Sequence, residues 1–172
     1  YGLVAPLQMA SLRAAIPRWL EDADNGLTDR FRALLHGLWD DLLTLDQRIE
    51  TLNGDIESIA KNDPVARRLQ QLRGVGPLVA TALIATVGNG GQFSKGRQMA
   101  ASLGLTPRQH SSGGKDRLLG ISKHGDAYLR TILIHGARSV VTQSRHKEDR
   151  LSRWVTELAK RRHPNVAAVA LA

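Results

Sequence analysis

The 172-residue chain contains no cysteine, and aromatic residues make up only 4% of it. Without thiols there is neither a disulfide framework nor a thiolate metal site, so the fold does not depend on an oxidising compartment. Scarce aromatics alongside 42% hydrophobic residues argue against a β-sandwich and for Ala- and Leu-rich helices. No apolar run reaches the roughly 18 residues of a membrane-spanning helix, and no signal-peptide pattern opens the chain. His36, His135 and His163 lie far apart and follow no ligand spacing, which makes them helix-face or surface residues. The expected class is all-α. The chain opens on Tyr1 and stops inside the apolar pattern NVAAVALA, as expected of a piece of a longer protein.

Charge is present, and it is unevenly placed. Residues 1–63 carry 6 Lys and Arg against 11 Asp and Glu, whereas residues 64–172 carry 18 against 5. The two parts therefore have net charges of −5 and +13. This asymmetry divides the chain into an acidic arm, 1–63, and a basic domain, 64–172. The basic part is the candidate nucleic-acid surface, because cations that neutralise phosphates release counterions whatever the base sequence.

In the acidic arm, Met9, Leu12, Ile16 and Leu20 sit at helical spacing around Pro17, which predicts a helix with a kink or break at that proline. Thr28 is placed to cap the next helix. From there Leu35, Leu38, Leu42, Leu45, Ile49, Leu52, Ile56 and Ile59 alternate steps of three and four. Such sustained periodicity is a coiled-coil seam, formed with another protomer or with the first helix. Pro64 ends it.

The basic part begins with LQQLRGVGPLVATALIATVG. A short helix enters Gly74-Val75-Gly76, and Pro77 starts a second one. This pattern resembles a helix–hairpin–helix, whose glycines allow a tight turn and bring backbone N–H groups to a helix N-terminus where a phosphate can sit. Gly104 is positioned to stop a helix begun near Ser94, and Asp126 starts a strong helix over 128–141. Trp39 and Trp154 are expected to be core or helix-packing residues, and Arg145 to Arg150 a solvated turn.

Between these helices lies PRQHSSGGKDRLLGISKHGDAYLR, Pro107 to Arg130, a segment expected to be a loop. A serine hydroxyl can attack a phosphodiester and form a covalent phosphoserine, given help with its proton and cations to hold the developing charge. Arg108, His110, Lys115 and Arg117 are close enough in sequence to supply cations. Asp116 and Asp126 are ten residues apart with no third ligand nearby, so no metal site can be assigned to this chain. Taken alone, Ser-Ser-Gly-Gly is usually a flexible loop.

Three ordered motifs, LRGVGPLVATALIATVG, FSKGRQMAASLGLTPRQHSSGGK and LLGISKHGDAYLR, resemble the C-terminal domain of DEDD-type bacterial insertion-sequence transposases, the bridge-RNA-guided serine recombinases. The likeness covers 69–141, and the preceding arm is similar to the coiled-coil region of that family. It implies a serine nucleophile in this segment, for which Ser112 fits best and Ser111 is the alternative. It also places Arg108, Lys115, Lys123 and Arg130 on the family's basic positions, expected to meet phosphates, and Gly74 and Gly76 on its hairpin turn; Arg117, from the loop's own cations, is a further expected nucleic-acid contact. The implied partners are DNA, a structured guide RNA and further copies of the chain, with no membrane, in the bacterial cytoplasm at the nucleoid. No cofactor is assigned to this chain; Mg²⁺ is expected through a separate N-terminal RuvC-like domain. Alone, the chain is then expected to bind nucleic acid without recombining it. The competing reading is a non-catalytic helix–hairpin–helix DNA-binding or oligomerisation module.

Overall fold

The structure, a computed structural model, describes residues 1–112 and 115–172, without the side chains of 111, 112, 115 and 116. It divides into two units, Tyr1–Gly54 and Asp55–Ala172.

The first unit holds α1 (Met9–Glu21) and most of α2 (Asp29–Asn62). No break occurs in α1 at Pro17: the proline removes one N–H, but Ile16 and Ala15 beside it are buried, and their packing offsets the lost hydrogen bond. Arg32 then closes the end of α1. Its guanidinium donates to the carbonyls of Trp19 (3.0 Å), Leu20 (2.7 Å) and Asp22 (2.9 Å), the acceptors that a helix C-terminus leaves without partners. Farther along, Arg13 forks onto the Asp46 carboxylate, with Nη2 2.9 Å from Oδ1. Thr28 accepts from the amide of Phe31 at 3.3 Å, the expected cap.

The alternating seam of α2 is open within its own chain. Leu38, Leu45, Ile49, Leu52 and Ile59 are each more than half exposed, while Leu35, Leu42 and Ile56 are partly covered. Helix α1 is joined to α2 through Arg13 and Asp46 and through Arg32, yet most of the seam stays exposed.

Asp63 ends α2 and caps α3 (Pro64–Leu69), accepting from the amides of Val65 (2.7 Å) and Ala66 (2.9 Å). After a turn, α4 (Pro77–Val87) and α5 (Gly96–Ser102) follow. Two antiparallel strands, β1 (Pro107–Ser112) and β2 (Lys115–Ile121), form a hairpin. Then come α6 (Ala127–Gln143), a 3-10 turn over Ser144–His146, α7 (Arg150–Arg161) and α8 (Pro164–Leu171). The chain is all-α in class, with one strand pair where a loop was expected. Neither strand alternates apolar and polar residues, because Arg108, Gln109 and His110 are all exposed. A run of successive exposed residues gives no period-two signal.

Helix α6 is the spine of the second unit. Its Leu129 is fully buried and packs with Val79 and Leu83 of α4 and with Leu103 and Leu105. Further along, Ala137 and Val141 meet Val155 of α7 and Ala167 and Ala168 of α8. A fully buried Leu or Val contributes about 1.5–3 kcal/mol.

Two glycine contacts bring backbone against backbone. A Cβ on Gly136 would lie 2.0 Å from the Gly74 carbonyl oxygen, and one on Gly125 would lie 1.8 Å from that of Ser102. Gly125 also has φ +92°, a region costly to any L side chain. Alanine gains up to about 1 kcal/mol over glycine inside a helix, but at Gly136 it must displace a backbone. Gly136→Ala and Gly125→Ala are therefore each expected to destabilise the second unit by about 2 kcal/mol or more. Gly96→Ala, where a Cβ meets nothing within 4 Å, should leave stability unchanged or slightly raised; urea unfolding followed by far-UV circular dichroism separates the three.

Candidate nucleic-acid interface

The turn between α3 and α4 has the expected shape. Gly74 takes φ +85°, and the Val75 amide donates to the Leu72 carbonyl at 3.1 Å. Gly76 stands at the N-cap of α4 in extended conformation, followed by Pro77 at the first helical position. No side chain caps this helix, so its first-turn amides have no side-chain acceptor. Such an end favours an anion, through its N–H groups and the positive end of the helix dipole. The two glycines differ in role. Gly76 is exposed, with open space where a Cβ would stand, whereas Gly74 is half-buried against Gly136 and Val140. Gly74 holds the turn on α6, and Gly76 leaves its face clear.

The strand pair stands on a rigid root. Gly104, at φ +70°, follows α5, and a Cβ there would lie 2.1 Å from the His124 carbonyl oxygen. The Ser122 amide donates to the Thr106 carbonyl (2.9 Å) and the Lys123 amide to the Gly104 carbonyl (3.1 Å). Lys123 adopts φ +59°, a left-handed conformation uncommon outside glycine. Arg130 reaches across from α6, and its Nη1 donates to the Leu103 carbonyl at 3.0 Å.

From that root the strands run outward in register, His110 opposite Arg117 and Ser112 opposite Lys115. A bulge falls between Pro107 and Gln109, around Arg108. Bulges re-aim side chains and tighten the local twist. Arg108, His110, Arg117 and Lys123 are all exposed, so the hairpin and its root present cations to solvent. The Ser112, Ser111 and Lys115 side chains, expected from the sequence as nucleophile, alternative nucleophile and phosphate contact, lie outside the described residues. Arg130 is half-buried and clasped to α5, so a phosphate contact is left to its remaining nitrogens.

Residues 66–152 match the transposase family IS116/IS110/IS902. The chain belongs to this family. It is 52% identical over 139 residues to a probable family 20 transposase of Pseudomonas aeruginosa, covering 81% of this chain and 41% of that protein. It is also 41% identical over its whole length to the transposase for insertion sequence element IS1111A of Coxiella burnetii, 47% of which is covered. A transposase for element IS1328 of Yersinia enterocolitica shares 38% identity over 74% of this chain and 38% of its own length. The chain thus spans less than half of these relatives. The segment matched to the transposase family holds the glycine turn, the hairpin, Lys123, Arg130 and Asp149.

No helix is long and apolar enough to cross a membrane among the described residues. Among the described residues no three of His, Asp and Glu come together as metal ligands. His36 lies on an exposed helix face beside Asp40 (3.0 Å), His135 is exposed, and His163 caps α8 by accepting from the Asn165 amide at 3.2 Å.

The Arg145 to Arg150 run is more than a solvated turn. Asp149 caps α7, accepting from the amides of Leu151 and Ser152 (3.1 Å each) and from the Ser152 hydroxyl (2.7 Å). Arg73, just before the glycine turn, donates Nη1 to Asp149 Oδ2 (2.9 Å) and to Ser152 Oγ (3.0 Å). A cleft of about 130 Å³ opens here, lined by Arg73, Ser139, Gln143 and Lys147 among others. An Asp followed three residues later by Ser signals the cap; nothing local signals a partner 76 residues away.

The Ser152 hydroxyl and amide, together with Arg73, hold the Asp149 carboxyl well below the ordinary carboxylate range. Because its pKa is depressed on folding, the ionised Asp149 stabilises the unit fully above about pH 4 and progressively less as pH falls below that. Urea midpoints of the wild type and Asp149→Ala should therefore differ clearly at pH 7 and draw together towards pH 2. A gap that stays constant across that range would show that Asp149 ionisation contributes nothing.

Proposed function

We propose that this chain is the DNA-binding, serine-bearing portion of an insertion-sequence transposase that cuts and rejoins DNA through a phosphoserine. In this reading the Ser112 oxygen attacks a phosphodiester and forms a new P–O bond. The bond to one deoxyribose oxygen breaks, and that oxygen takes up a proton while a base accepts the serine proton. The transferred phosphoester keeps the energy needed to rejoin strands when a sugar hydroxyl reverses the step. Arg108, Lys115, Arg117 and Lys123 would neutralise the phosphate backbone, and the Gly76 end of α4 would seat a further phosphate. The observation that carries the reading is the family match over 66–152 on a hairpin lined by exposed cations.

The finer features belong to the same proposal. A structured guide RNA would share the basic surface, copies of the chain would pair through the open seam of α2, and Mg²⁺ would be held by a domain outside this chain. The runner-up is a helix–hairpin–helix DNA-binding module in which the serines serve only as linker.

The decisive experiment traps a covalent DNA adduct with the full-length protein and maps the modified residue. Ser112→Ala should abolish the adduct and lower recombination at least about a thousandfold, as loss of a nucleophile does, whereas Ser111→Ala should retain both. Recombination that survives Ser112→Ala would select the non-catalytic reading. The 172-residue chain alone should bind duplex DNA with an affinity that falls steeply with salt, without cleaving it. Replacing Leu42, Leu45 and Ile49 with polar residues should reduce the mass in sedimentation equilibrium to that of one chain. An unchanged mass would argue against the α2 seam.

A further inference from the structure

Helix α7 has two very different faces. Inward, Ser152 and Val155 are fully buried, and Leu151, Leu158 and Ala159 pack against the core formed with α6 and α8. Outward, Arg150, Arg153, Trp154, Glu157, Lys160 and Arg161 are all exposed. Positions 150, 154, 157 and 161 follow one another on a single stripe, with 153 and 160 beside it.

Trp154 was expected in the packing of the fold, yet it is 46% exposed. Among the described residues its indole N–H takes no acceptor, and no ring or cation stacks on it. The cations around it are also available. Lys160 is paired with Glu157 at 2.7 Å, but Arg150, Arg153, Arg161 and Arg162 form no ion pair among the described residues. A large aromatic surface is thus left to solvent on a helix face that also carries Arg150 and Arg153, with Glu157, paired to Lys160 and beside Arg161, one turn further on.

We infer that the outer face of α7 is a stacking platform for an unpaired nucleic-acid strand, with Trp154 receiving a base and Arg150, Arg153 and Arg161 receiving the flanking phosphates. This rests on the reading of the basic unit as a nucleic-acid surface and adds a second site to the hairpin. Charge selects the ligand: a protein-binding aromatic sits in a patch depleted of charge, whereas this ring shares its helix face with Arg150, Arg153 and Arg161, which outnumber the single acid Glu157. Base exposure selects the form, because a base within a duplex has both faces covered by its neighbours. An unpaired base offers a free face, and each stack on an aromatic contributes enough to be read out by substitution. The strand can be RNA or a displaced stretch of DNA, since both present the same base faces and phosphates.

The test uses the 172-residue chain with labelled oligouridylate, oligothymidylate and a mixed-sequence DNA duplex. Trp154→Ala should weaken binding of the preferred single strand by roughly 5- to 100-fold and leave duplex binding within about twofold, with an unchanged circular-dichroism melt. Trp154→Phe should keep most of the affinity. Titrating the strand should quench tryptophan fluorescence in the parent chain and not in Trp154→Phe. Because it leaves the ring in place, Arg150→Gln with Arg161→Gln should instead lower the salt slope for the strand by about 1.4. Tighter oligouridylate assigns the platform to RNA, and tighter oligothymidylate to a displaced DNA strand. If Trp154→Ala leaves strand binding unchanged, or weakens strand and duplex equally, the platform is overturned while the basic surface stands. If the parent chain binds none of the three probes, the nucleic-acid reading of the basic unit fails, and the platform with it.

Discussion

The architecture of the second unit depends on the closeness with which the Gly74 turn meets α6. A Cβ on either Gly74 or Gly136 would press on the other's backbone, at 2.9 Å from the Gly136 carbonyl oxygen in one direction and 2.0 Å from that of Gly74 in the other. Only hydrogen fits in that space. The contact joins α3 and α4 to the helix on which α7 and α8 also pack, so the turn at the N-terminus of α4 is held against the spine of the unit. An anion site built from backbone amides works when those amides cannot relax away from the ligand.

A second constraint of the same kind carries the hairpin. Gly104 and Gly125 interlock the end of α5 with the segment before α6, and Arg130 ties α6 to the Leu103 carbonyl. The strands have little core of their own and depend on this root for their direction. The Asp149 pair with Arg73 braces the region once more, linking the start of α7 to the segment that enters the glycine turn.

Much of this was legible in the sequence, for identifiable reasons. The caps at Thr28 and Asp126, the start of α4 at Pro77 and the stop at Gly104 are local chemistry, readable within a few residues. The seam of α2 was legible because its period is sustained, and the family likeness because three motifs occur in order. Other features were hidden. Along the strand pair the described residues Arg108, Gln109, His110, Arg117 and Leu118 are all exposed and show no alternation. Gly136 sits in a helix pattern where its only signal is that glycine there is unfavourable without a reason. Trp154 falls in a helix whose inner and outer stripes both hold large side chains, so its residue type suggested burial while its position put it outside.

What the sequence determined by itself was the class of the fold, the division of charge between an acidic arm and a basic unit, and the transposase likeness. These follow from composition, period and motif order, which are properties of neighbours along the chain. Tertiary structure alone decided which glycine clears a surface and which one seals a contact, and which arginines are clasped and which are open. Each of these turns on residues far apart in sequence, such as 74 and 136 or 73 and 149, whose meeting is set by the packing of α6.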